Sequence, residues 1–94
     1  MDRFEEAIFP RRELFGRALL RLVNLADQRG VSLRVDEFRA VLPLGESELS
    51  YELQLFGRTV VRRIERGRVV ARFETYDFEQ GLDLFERAVE EAEG

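Results

Sequence analysis

Six arginines and a single glutamate occupy residues 58–72, whereas residues 77–93 hold seven carboxylates and one arginine. Clustered guanidinium groups can track phosphate oxygens, so Arg58, Arg63, Arg68 and Arg72 form a candidate phosphate-contact surface. Binding bases as well would need aromatic rings beside them, and only Phe56 is offered. The acidic stretch, with Glu79, Asp83, Glu86, Glu90, Glu91 and Glu93, could in principle hold a hard cation. Its spacing fits no calcium loop, and a solvated helix face accounts for it.

The residue types that are missing exclude more chemistry than those present suggest. Without Cys there is no disulfide, thiolate zinc site or cysteine nucleophile. Without His the usual general base, the serine triad and most transition-metal sites are gone. All 15 basic residues are Arg, so a Schiff-base lysine and a phosphate-loop lysine are also excluded. The remaining hydroxyls and carboxylates fall into no Gly-x-Ser-x-Gly, glycine-rich phosphate loop or paired-carboxylate pattern. The expectation is a non-catalytic protein with no cofactor. Arginine in place of lysine suits a prokaryotic GC-rich coding sequence, and one Asn, three Gln and one Met suit a heat-adapted host.

These residues must be positioned by residues 49–76, which read as three strands joined by two-residue turns at Gly57-Arg58 and Arg66-Gly67. A two-residue turn sets the register. The expected core face then carries Leu49, Tyr51, Leu53 and Leu55, then Val60, Arg62 and Ile64, then Val69, Ala71 and Phe73. Arg62 is the anomaly on that face. A guanidinium under a helix costs several kcal/mol, by order of magnitude, unless paired. Glu86 is the expected partner, making Arg62 and Glu86 a candidate buried ion pair or anion site. On the other face, Glu52 is expected opposite Arg63 and Glu65 opposite Arg68, which would neutralise part of the arginine surface.

Before this meander, a helix is expected from Pro10, at its first position, to Gly30, its C-cap. Its apolar residues Leu14, Leu25, Ala18, Leu22, Phe15, Ala26, Leu19 and Val23 span an arc of roughly 180°, wider than one packing surface requires. A second helix or a second copy of the chain should cover the excess, with Phe15, Leu19 and Val23 as the candidate dimer surface. Residues 1–9 read as a turn or short helix leading into Pro10. Two readings compete for 36–43: a fourth strand, placed at an edge by Pro43, or a short helix from Asp36 to Pro43. A turn through Gly45-Glu46-Ser47-Glu48 would pair Leu42 with Tyr51, Ala40 with Leu53 and Phe38 with Leu55, all apolar, and the strand is the expectation. The last helix opens on Asp77 as N-cap, with Gln80 completing a capping box. Its stripe is Phe78, Leu82, Phe85, Val89 and Ala92, with Gly81 and Ala88 allowing close approach to the sheet.

The expectation is one α+β domain over residues 1–94: helix, three- to four-stranded antiparallel meander, helix, with both helices on one sheet face. That order is loosely similar to a double-stranded-RNA-binding domain. However, Asp77, Glu79 and Asp83 open the last helix where a phosphate binder would carry positive charge. With a net charge of −4, nucleic acid is disfavoured as a partner. No apolar run reaches the roughly 18 residues of a membrane span, and residues 1–6 are too acidic for a signal peptide. The expected role is a cytoplasmic protein-interaction module acting as a homodimer, its partner being a second copy or another protein. The alternative is an anion or nucleic-acid binder using strands 58–72.

Overall fold

The computed structural model describes residues 3–94, and their side chains from Pro10 onward. The chain runs as α1 (Arg3–Gln28), β1 (Arg34–Asp36), β2 (Arg39–Leu44), β3 (Ser47–Leu53), a 3-10 turn (Leu55–Gly57), β4 (Thr59–Glu65), β5 (Arg68–Thr75) and α2 (Phe78–Glu93). The five strands form one antiparallel sheet in chain order. Both helices pack on the face that carries Ala40, Leu42, Leu49, Tyr51, Leu53 and Val61. The fold is α+β, as expected, with five strands rather than three or four.

α1 is longer than expected. It passes through Pro10 instead of starting there, so the proline removes one intrahelical hydrogen bond within the helix. Its far end closes as expected at Gly30: Val31 N donates to Ala26 O and Gly30 N to Asp27 O, both at 3.1 Å. The side chains of Phe4, Ile8 and Phe9 lie outside the described residues. The wide apolar arc is used within the chain. Phe15, Ala18, Leu22 and Ala26 enter the core, where they meet the sheet and α2, while Leu14, Leu19 and Leu25 pack around them.

Arg39–Leu44 is strand rather than helix, and a tight turn at Glu37-Phe38, with Phe38 at φ 52°, joins it to a short strand missed in the sequence, β1, which ends at Asp36. β2 is therefore not the sheet edge that Pro43 implied. The proline is tolerated because β1 reaches only as far as Val41, leaving the β2 side at Pro43 open. Between β2 and β3 the turn is Gly45-Glu46, so Ala40 faces Tyr51 and Leu42 faces Leu49. This is two residues away from the expected register, and every side chain keeps its face.

The turn at Gly57-Arg58 is the consequential correction. The chain instead makes a longer connection through the 3-10 turn, with Phe56 at φ 64° and Gln54 N donating to Arg58 O at 2.7 Å. Tyr51 consequently faces Val61, not Ile64. The displacement is an odd number of residues, and an odd slip moves a whole strand's side chains to the other face. Val61 and Arg63 lie on the helix-covered side, and Val60, Arg62 and Ile64 on the open side. The Arg66-Gly67 turn stands as expected, with Glu65 opposite Arg68 and Ile64 opposite Val69, both turn residues having positive φ (51° and 78°). Farther along, a bulge at Arg63/Ile64 shifts the pairing by one and leaves Val70 as the extra residue.

α2 starts where expected, with Gln80 N donating to Asp77 Oδ1 at 2.9 Å. The second half of the capping box is replaced by a relay. Asp77 N donates to Thr75 Oγ1 (3.1 Å), whose hydroxyl donates to Gln80 Oε1 (2.6 Å). Three glutamates near the far end of α2 oppose the helix dipole, and Arg29 from the end of α1 answers them. Its guanidinium grips Glu93 through two hydrogen bonds of 2.7 and 2.8 Å while donating to Leu25 O at 3.0 Å.

Candidate functional site

Two surfaces remain after the helices are placed: the open face of the sheet and the outer edge of β5. Across the open face the register sets Arg34, Val41, Ser50, Arg62 and Arg72 in one row. The next row holds Asp36, Arg39, Glu52, Val60 and Glu74. Val41, Ser50 and Val60 are buried although no helix lies over them. Their neighbours on this face include Arg39, Glu52, Arg62, Arg72 and Glu74, long side chains whose aliphatic stems can cover apolar surface.

This placement corrects the reading of Arg62. It is not enclosed beneath a helix and does not meet Glu86. It lies on the open face, 3.7 Å from Glu52. Glu86 is held instead by Arg21 of α1 at 2.7 Å, and the same guanidinium reaches Asp83 (3.5 Å) and Glu79 (3.6 Å). The acidic face of α2 is thus met by α1. Among the described residues no cluster of three or more acidic side chains is arranged to hold a metal ion.

The candidate phosphate surface is divided. Arg58 and Arg72 are on the open side and converge on Glu74, with Arg72 at 2.8 Å. The hydrogen bond from Arg58 holds the Glu74 carboxyl below its ordinary pKa; desolvation opposes this, while the charges of Arg58 and Arg72 add to it. Arg63 is on the helix side, in the Leu49–Ala71 row, and pairs with Glu65 at 2.6 Å. Arg68 is exposed at the hairpin end. Arg34 is paired too, with Glu48 at 2.7 Å. Alternating charge, rather than a cationic platform, is what the sheet presents.

The candidate dimer surface on α1 is also divided. Phe15 is 7% exposed, its ring edge-on to Phe38 at 5.8 Å and near Tyr51, so it is a core residue. Leu19 packs against the core, while Val23 is 43% exposed and its neighbour Leu20 is 73% exposed.

No family model, curated protein or solved structure matches this chain. Function therefore rests on the surfaces themselves.

The feature that the sequence pattern hid is the β5 edge. β5 is the last strand of the sheet, eight residues long, and none of the described residues pairs on its outer side. Val69, Val70 and Phe73 are exposed along it and Tyr76 just beyond it. In the sequence Val69 and Phe73 read as core because the meander supplies an alternating apolar pattern. The strand's position at the rim of the sheet exposes them, Val69 on the open side and Phe73 at the border of α2.

The open-face position of Arg62 sets an expected result. Arg62→Ala should cost about 1–2 kcal/mol, because the pair with Glu52 is long at 3.7 Å and each side chain, about a quarter exposed, still meets solvent. Arg62→Leu should behave alike in urea unfolding. A loss of several kcal/mol on Arg62→Ala, recovered by Arg62→Leu, would instead indicate an enclosed ion pair.

Proposed function

We propose that this chain is a non-catalytic protein-interaction module that acts as a homodimer. The observation that carries this reading is the unpaired β5 edge with exposed apolar side chains along it. A free strand of that length and composition is a template for another chain, whereas single exposed apolar residues elsewhere on a surface are ordinary. The missing Cys, His and Lys support a non-catalytic role. The alternative, anion or nucleic-acid binding through strands 58–72, is weakened by the charge pattern. Arg58, Arg62, Arg63 and Arg72 each lie within salt-bridge distance of a carboxylate.

Light scattering tests the reading. At tens of micromolar the chain should have twice its monomer mass of 11.0 kDa. A mass of 11.0 kDa persisting at hundreds of micromolar would overturn the homodimer.

A further inference from the structure

The homodimer reading leaves open how two copies meet, and any joining geometry rests on that reading. The two sheet edges are unlike. β1 is three residues long, Arg34–Asp36, with two charges, features that blunt an edge against further pairing. β5 is eight residues long, and Val69, Val70, Phe73 and Tyr76 around it are 55%, 54%, 42% and 73% exposed. Val23, the exposed part of the α1 candidate surface, has Leu20 as its one exposed large apolar neighbour among the described residues of α1.

Symmetry narrows the pairing. A two-fold axis perpendicular to the sheet makes neighbouring strands antiparallel and keeps each side chain on its own face. The axis must then pass midway between one residue and its own copy, which face each other across the seam. On β5 the bulge at Val70 ends the regular stretch, leaving Ala71 to Thr75 in straight register with β4. An axis at Arg72 would set two guanidinium groups against each other, and one at Glu74 two carboxylates. An axis at Phe73 places Arg72 opposite the partner's Glu74, and Glu74 opposite the partner's Arg72. Ala71 then faces the partner's Thr75, and the exposed Val70 is brought to the partner's Tyr76.

We propose that two copies of this chain join β5 to β5, antiparallel, about a two-fold axis at Phe73, so that one sheet continues across both. On the open face Arg72 and Glu74 already lie 2.8 Å apart within each chain. The axis gathers both pairs into a four-charge cluster of alternating sign, which opposite charges on facing positions stabilise. On the helix side, Phe73 borders a groove lined by Leu84, Arg87, Ala88 and Glu91. The partner's Phe73 covers the apolar part of that groove. Arg87 makes no ion pair among the described residues. With Glu91 one turn farther along α2, the same two-fold brings it toward the partner's Glu91.

The chain has no cysteine, so a single introduced thiol can form a disulfide only between copies. Phe73→Cys puts the two thiols on the axis, with Cβ atoms about 5 Å apart, within reach of a modest adjustment. Mild oxidation should convert most of it to a covalent dimer, while Leu20→Cys on α1 stays monomeric on a non-reducing gel. If scattering shows a dimer but Leu20→Cys links and Phe73→Cys does not, the β5 register falls while the homodimer stands. If the parent is a monomer throughout, both fall.

A second test does not rely on removing Phe73. Arg72→Glu and Glu74→Arg should each weaken self-association by tenfold or more, since the facing charges become alike. Mixing the two variants should restore dimers, because each acidic edge then meets a basic one. A fault confined within either chain would not be repaired by mixing. Failure of the mixture to recover dimers would overturn the register.

Discussion

Phe85→Ala should lower the free energy of unfolding by about 3–5 kcal/mol, the usual result of removing a fully buried phenyl ring. Phe85 has no exposed surface, and its ring stands edge-on to Tyr51 with centroids 6.0 Å apart and planes at 87°. It also shares one core cluster with Leu22 of α1 and Leu49 and Val61 of the sheet. The cavity left by alanine would be walled on all sides by fixed elements and could not collapse. A domain of this size is stable by only about 5–15 kcal/mol, so much of the margin is lost. In urea, at one fixed protein concentration, the midpoint should fall by roughly 2–3 M for a slope near 1.5–2 kcal/mol per molar. Phe56→Ala is the control. Phe56 is 78% exposed, so its removal should change stability by no more than about 0.5 kcal/mol. Similar losses for the two would show that the core is not centred where α2 crosses β3 and β4.

Gly81→Ala should destabilise by about 2 kcal/mol, although alanine is the better helix former by about 1 kcal/mol. A Cβ at position 81 would sit 2.7 Å from Thr59 Cγ2 and 3.0 Å from its Cβ. Thr59 is fully buried in β4, and a β-branched side chain has little rotamer freedom. Either the helix lifts from the sheet or the strand bends, and both disturb the core below. The Tyr51 hydroxyl lies beside Thr59 in this layer, and burial pushes its pKa up. Thr59→Ser removes the methyl that causes the conflict. In that background Gly81→Ala should cost at least about 1 kcal/mol less, a coupling readable from four urea curves. Additive losses would place the cost elsewhere than in this contact.

How much of this molecule can be read from its residues depends on parity. Arg66-Gly67 is legible because glycine takes positive φ without strain and the flanking residues alternate cleanly. The β2–β3 turn is misplaced by an even number, which leaves Ala40, Leu42, Leu49 and Tyr51 facing the helices regardless. The third connection fails because Leu55 and Phe56 prolong the apolar alternation of β3, whereas the chain has already left the sheet. No residue type marks that exit except Gly57, which lies at the end of the turn rather than the start of one. The resulting odd slip exchanges Arg62 with Arg63 and creates an ion-pair problem at Arg62 that the structure does not contain. The site inherits the same ambiguity, since alternation says that Val69 and Phe73 face something but not that β5 is last in the sheet. Asp77 and Gly30 are legible for a local reason: caps are decided by groups a few residues apart. Proline is the weaker guide, because its cost at Pro10 and Pro43 depends on neighbours that the sequence does not display.

The order β1-β2-β3-β4-β5 also governs how the chain reaches this state in time. Each strand pairs with the next one along, so the sheet can close hairpin by hairpin without joining distant segments. Local pairing of this kind lowers contact order and favours rapid folding. The distant step is the meeting of α1 with α2, which Arg21 and Arg29 complete across 65 and 64 residues. Until that step the Tyr51 face has only part of its cover, and β5 is still an open edge. The interval between zipping the sheet and docking the two helices is therefore when this chain is most exposed to pairing with the wrong neighbour.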